Sequence, residues 1–114
     1  MPFSYEIKPA LLGSVVVLEG EIDLDAAPRL RQVLHREIAA HNGQVVLDLT
    51  GVHFVDSAGL GALIGGTRRC RESGGDLTLR NVRPMILRLI RHVRLDQVLT
   101  IEPLEEADSE LQER

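Results

Sequence analysis

Three short stretches rich in apolar residues, Val15–Leu18, Val45–Leu49 and Leu77–Leu79, recur along the chain with helix-length amphipathic stretches between them. Runs of this length and β-branched content read as strands, and the segments separating them are too long for hairpin turns. Strands alternating with helices lie parallel in one sheet, joined by right-handed crossovers. One earlier segment, Phe3 to Pro9, alternates Phe3, Tyr5 and Ile7 with Ser4, Glu6 and Lys8, and a short turn at Gly13 leads from it into Val15–Leu18. A connection that short makes the opening pair antiparallel. The expectation is an α/β domain of order ββαβαβαβα, with a mixed, mostly parallel sheet packed against helices.

Finer expectations follow from the same pattern. Four consecutive apolar residues at Val15–Leu18 predict a strand buried on both faces. Glu19 to Asp25 reads as an acidic loop, with Asp25 capping the first helix and Pro28 in its first turn, where the missing N–H costs nothing. Leu30, Val33, Leu34 and Ile38 form that helix's apolar stripe, Arg29, Arg31, Arg36 and Glu37 take the other positions, and Asn42–Gly43 ends it. The strand Val45–Leu49 leads through a short connection to Phe54–Gly61, which opens a helix reaching about Ser73. Its stripe is Leu60, Leu63, Ile64, Thr67 and Cys70, and Gly74–Gly75 stops it. A third helix opens at Arg83–Pro84 and turns Ile86, Leu87, Leu89, Ile90 and Val93 inward. Val98 to Ile101 is a last strand, and the acidic tail 102–114 carries a helical pattern through Leu104, Ala107 and Leu111. No repeat or linker divides the chain, so residues 1–114 are read as a single domain.

Composition narrows the function. A chain of 114 residues, 44% hydrophobic, suits one globular core. Thirteen basic against seventeen acidic residues give no general reason to expect direct nucleic-acid contact. The lone Cys70 cannot form an internal disulfide and suits a reducing compartment. No apolar run is long enough to span a bilayer, and no cleavable signal pattern begins the sequence, so a cytoplasmic location without membrane contact is expected.

The most informative stretch is Val45 to Gly66, where a strand delivers Asp56–Ser57 to the start of a helix. Either residue serves as an N-cap, and Gly59, Gly61, Gly65 and Gly66 allow close helix packing. Glycine costs roughly 1 kcal/mol relative to alanine in a helix interior, so four of them need a compensating reason. Gly59, Ala62, Gly66 and Arg69 project opposite the apolar stripe, which predicts a flat, solvent-facing surface suited to another protein. The dinucleotide spacing GxGxxG fails, GxxxxGK[ST] is absent, and neither G-x-S-x-G nor a suitably placed histidine supports Ser57 as a nucleophile. No catalysis and no cofactor are therefore expected. Glu19, Glu21, Asp23 and Asp25, alternating on an extended segment, should point one way; they are read as a solvated acidic edge, and no metal site is expected. His35, His41, His53 and His92 show no ligand spacing and are read as surface or boundary residues, while Cys70 continues an apolar stripe. Arg68, Arg69 and Arg71 form a basic cluster that either complements the helix dipole or meets an acidic partner.

From Ser14 to about Glu102 the sequence resembles the anti-sigma-factor antagonist family, built on the STAS domain. The resemblance is carried by Leu18–Glu19–Gly20–Glu21–Ile22–Asp23, by Val46–Leu47–Asp48–Leu49 with Phe54–Val55–Asp56–Ser57–Ala58–Gly59–Leu60–Gly61, and by Gly74–Gly75–Asp76–Leu77. It implies that Ser57 is phosphorylated by a partner anti-sigma factor, a serine kinase with a histidine-kinase-like ATPase fold, and reset by a serine phosphatase. The unphosphorylated form would capture that partner and free a sigma factor. Many relatives carry a second hydroxyl where this chain has Ala58. Asp56 matches the acidic residue beside the phosphosite, where it either orients the hydroxyl or fixes the turn. Glu21 and Asp23 match the neighbouring partner-binding loop. The expected partner surface thus comprises Glu21, Asp23, Asp56, Ser57, Ala58, Gly59, Gly61, Ala62 and Gly66. The alternative implied by the same fold is a subunit of a membrane lipid-transport complex.

Overall fold

The computed structural model describes residues 2–103. β1 (Ser4–Lys8) pairs antiparallel with β2 (Ser14–Ile22), which pairs in parallel with β3 (Gln44–Val55), then β4 (Asp76–Arg80) and β5 (Thr100–Ile101). The five strands lie in sequence order. α1 (Ala27–Ala40) connects β2 to β3, α2 (Ser57–Glu72) connects β3 to β4, and α3 (Pro84–His92) with a 3-10 turn (Leu95–Gln97) leads to β5. The expected α/β architecture and antiparallel opening are therefore present. The predicted helix through Leu104, Ala107 and Leu111 lies outside the described residues.

Burial follows the strand period. Val16, Leu47 and Leu79 face one another across three strands and are at most 1% exposed. Each fully buried aliphatic side chain contributes about 1.5–3 kcal/mol. Leu30 and Leu34 of α1 and Leu63 of α2 cover this face, and the two helices also pack on each other. The opposite face is only half covered: Val15, Val17 and Val46 remain partly accessible. β2 is thus not buried on both faces, because the helical layer covers the row of Val16 and Leu18 while Val15 and Val17 point the other way.

Local differences from the expected pattern have identifiable causes. β2 runs on through Glu19–Ile22, so that stretch is strand and not loop. β3 is likewise one continuous strand through Val55, with no connection after Leu49. It stays paired to β2 by inserting extra residues: Val17 pairs with Asp48 and Glu19 with Gly51, then Gly20 with Val52 and Glu21 with Phe54. Such bulges bend a strand and re-aim its side chains. Asp25 does not cap α1. The chain turns immediately after Ile22, so Asp23 Oδ1 accepts from the Ala26 N–H at 3.0 Å, and the Asp23 carbonyl accepts from Ala26 and Ala27. Glu37 is buried and not on the water-facing side, where it accepts a hydrogen bond from the buried Ser14 hydroxyl. Val93 is exposed because α3 stops at His92 and Arg94, at φ +64°, turns the chain away.

Candidate functional site

β2 and β3 end side by side, and α2 starts directly beyond β3. The Asp56 N–H donates to the Ile22 carbonyl at 3.3 Å, joining the two strand ends. Both oxygens of the Asp56 carboxylate are engaged. Oδ1 accepts from the Gly59 N–H at 2.9 Å, capping α2, and Oδ2 accepts from the Leu24 N–H at 3.1 Å, holding the β2–α1 loop. Satisfying an orphan donor at a helix start is worth about 1 kcal/mol. Of the two roles open to Asp56 in sequence, this geometry matches fixing the turn.

Ser57 is the first residue of α2 and is exposed, and its side chain forms no hydrogen bond among the described residues. Its hydroxyl therefore faces solvent at a helix N-terminus, with no base bonded to it. Around it stand Ala58, half-buried, and Gly61, exposed. Leu24 and Phe54 are 71% and 46% exposed. Neither was marked by the sequence pattern. Simple alternation after Val52 would bury Phe54, but the extra residue at His53 turns Phe54 outward and leaves Val55 inside. A bulge of this kind has no composition signal, although a lone large apolar residue between Asp23 and Asp25 was a usable hint for Leu24.

The predicted glycine face is not a surface. Gly59, Ala62 and Gly66 are buried by the protein's own chain. A Cβ on Gly59 would lie 2.1 Å from the Ile22 carbonyl oxygen, and one on Gly66 would lie 2.7 Å from Leu34 Cδ1. α2 is wedged between α1 and the sheet, so its buried arc is wider than one apolar stripe, and the small residues belong to the α1 and β2 contacts. Gly61 and Gly65 differ: a Cβ there would meet nothing nearer than 3.8 Å and 3.9 Å.

Glu21, Asp23 and Asp25 sit near the site and face one cavity, as their alternation predicts, whereas Glu19 lines a separate groove with Tyr5 and Glu6. Glu21 is on β2, with Oε2 3.9 Å from His53 Nε2, while Asp23 is turned into the start of α1. They border a cavity of about 410 Å³ with Asp25, Phe3 and Arg29. No group of three or more His, Cys, Asp or Glu side chains among the described residues is placed to hold a metal ion. Cys70 is fully buried, and burial, aided by Asp76, pushes its thiol up to about 11. The Arg68, Arg69 and Arg71 cluster is not a patch in space. Arg68 is exposed, Arg71 Nε donates to Asp76 Oδ1 at 3.0 Å, and Arg69 points toward α1. No helix among the described residues is long and apolar enough to cross a membrane.

Comparison with known proteins bears on the family and the fold. The family model described as "Mlab, STAS domain" matches residues 10–102. The anti-sigma-B factor antagonist of Bacillus subtilis is 33% identical over 86 residues, which span 75% of this chain and 78% of the relative. The crystal structure of an anti-sigma factor antagonist from Mycobacterium paratuberculosis superposes with a TM-score of 0.79 at 27% identity, covering 97% of this chain and 95% of that one. SpoIIAA, an anti-sigma factor antagonist and Bacillus cell fate determinant, shares the fold in both its unphosphorylated and phosphorylated forms. Their TM-scores are 0.69 and 0.67, at 19% and 21% identity, over 96% and 95% of this chain and 98% and 99% of theirs.

Proposed function

The chain belongs to the STAS-domain family, and on that premise we propose that it is an anti-sigma factor antagonist switched by phosphorylation of Ser57. The observation carrying this reading is the free, exposed hydroxyl of Ser57 at the first position of α2. In the unphosphorylated form, Ser57, Ala58, Gly61, Leu24 and Phe54 offer a small-residue, partly apolar surface to an anti-sigma factor that is also a serine kinase. Glu21 and Asp23 border this surface, whereas Gly59, Ala62 and Gly66 support it from beneath. Binding that partner frees a sigma factor, and a serine phosphatase resets the switch. The protein is ligand and substrate in this cycle and turns over nothing itself. Nucleic acid is affected through the partner alone.

The electrostatics favour a local switch. A phosphate on Ser57 adds about −1.5 to −2 charges at neutral pH. The N-terminus of α2 stabilises that charge by about 0.3–1 kcal/mol, while the neighbouring Asp56 opposes it. Asp56 is already held by two backbone donors, so the turn has no need to rearrange. The cost falls on docking, where charge and bulk enter beside Leu24 and Phe54. A loss of about 3–4 kcal/mol in binding weakens affinity by roughly several hundredfold, enough for release. SpoIIAA's retention of this fold in both forms supports a switch that acts at the surface.

Incubation with the cognate kinase and ATP should place phosphate on Ser57 alone, as read by mass spectrometry. Ser57→Ala should bind the kinase constitutively, and Ser57→Asp should bind it roughly a hundredfold more weakly. Equal affinities for the two variants would end this reading. In the alternative, a subunit of a membrane lipid-transport complex, the exposed Ser57 has no assigned use, and affinity purification would recover a transporter ATPase in place of a soluble kinase.

A further inference from the structure

β1 forms one edge of the sheet: it pairs with β2 on one side, and no other strand lies against it among the described residues. An open edge presents unpaired backbone donors and acceptors, which natural proteins manage with charges, covering segments or a partner strand. No segment covers this edge. Ser4, Glu6, Ile7 and Lys8 are exposed, and Arg29 reaches only the Phe3 carbonyl, just ahead of the strand. The hairpin that β1 opens also leaves apolar side chains in water. Ile7 is 42% exposed, Leu12 at the tip is 87% exposed, and Leu11 beside it is fully exposed. The two charges of the edge, Glu6 and Lys8, are opposite in sign and project from the same face of the strand. Neither has an ion-pair partner among the described residues, and Lys8 is the chain's only lysine.

We propose that this edge is an interface between two copies of the chain, which pair β1 to β1 antiparallel about a two-fold axis at Ile7 and so join their sheets. The register follows from the charges. With the axis at Ile7, Glu6 of each copy stands opposite Lys8 of the other, and the two Ile7 side chains meet. An axis at Glu6 or at Lys8 would set that charge against its own counterpart, and an axis at Tyr5 would leave both charges unmatched. Residues directly opposite each other in a ladder attract when their charges differ and repel when they are alike. A two-fold interface uses one patch twice, so a single matched pair becomes two. Pro9, opposite Tyr5 of the other copy, has no N–H to offer and ends the ladder. Beyond it, Leu11 and Leu12 extend toward Pro2 and Phe3 of the other copy, which gives the exposed tip an apolar neighbour. So short a ladder makes a weak, concentration-dependent dimer. The interface does not use Ser57 and stands or falls separately from the proposed switch.

Sedimentation velocity of the full chain over about 10–500 μM, the range of a weak interface, tests the proposal. The parent chain should pass from monomer to dimer as concentration rises. Glu6→Lys and Lys8→Glu each place like charges opposite one another twice, so each alone should dimerise about tenfold or more weakly. Mixed in equal amounts, the two variants should form a heterodimer, because every lysine of one then faces a glutamate of the other. Recovery on mixing also shows that both variants are folded. Arg88→Glu, a charge reversal at an exposed position on α3, should leave dimerisation unchanged. A parent chain that stays monomeric throughout the range would overturn the interface and leave the edge to a different partner strand. A dimer that survives Lys8→Glu, fails to re-form on mixing, or weakens equally in Arg88→Glu would overturn the register and with it the proposal.

Discussion

A single methyl group separates the four glycines of α2 into two pairs. At Gly59 a Cβ would strike the Ile22 backbone oxygen at 2.1 Å, and backbone cannot move aside without shifting β2. At Gly66 the obstacle is the end of the Leu34 side chain, which can rotate. Gly59→Ala should therefore destabilise by about 1–3 kcal/mol and Gly66→Ala by less. Gly61→Ala has open space and should stabilise the fold by up to about 1 kcal/mol, the helix preference for alanine over glycine. Urea midpoints should rank Gly59→Ala, Gly66→Ala, the parent chain and Gly61→Ala in rising order. Identical midpoints for Gly59→Ala and Gly61→Ala would refute this account. That four glycines need a close-approach explanation is readable from the sequence. Which of them touch backbone is not, because it depends on how deeply α2 sits between α1 and the sheet.

Strand and helix ends are where whole elements are tied to each other. Asp76 opens β4, accepts from the Thr100 hydroxyl of β5 at 2.7 Å, and accepts from Arg71 of α2 at 3.0 Å. Partial burial alone would raise its carboxyl. The bonds from Thr100, the Leu77 N–H and Arg71, with the charge of Arg71, outweigh burial and hold it below the ordinary 3.8. A carboxyl lowered in the folded state contributes stability above its unfolded value, and that contribution disappears as pH falls through the folded value. Asp76→Ala should therefore be less stable at neutral pH, with the difference shrinking as the pH drops through the carboxylate range. Denaturation midpoints measured over that range check it, and a difference that persists unchanged in acid would contradict the linkage. Asp48 keeps an acid-sensitive term in both proteins. Burial would raise it too, but bonds from Thr50 and Asn81 and the charge of Arg80 hold it low. Element types are largely legible here from apolar periodicity. The continuity of β3 is not, because its bulges insert polar or small residues that mimic a loop.

For the molecule as a whole, Cys70 reports on cooperative opening. It is fully buried on α2, and its thiol is pushed up to about 11, so the reactive thiolate is scarce at neutral pH. A thiol reagent should label the native protein no faster than the whole domain unfolds, and the labelling rate should rise with urea in step with loss of helical circular dichroism. Labelling well ahead of unfolding would show α2 opening alone. The sequence by itself determined the α/β class, the antiparallel opening and the placing of Asp56–Ser57 at a helix start. Each of these follows from local periodicity and capping chemistry, which act over a few residues. Tertiary structure alone decided which side of α2 faces water and that Phe54 and Leu24 turn outward at the end of the sheet where α2 begins with Ser57. Those outcomes depend on the register of β3 against β2 and on the packing of α1 on α2, contacts between residues far apart in the chain.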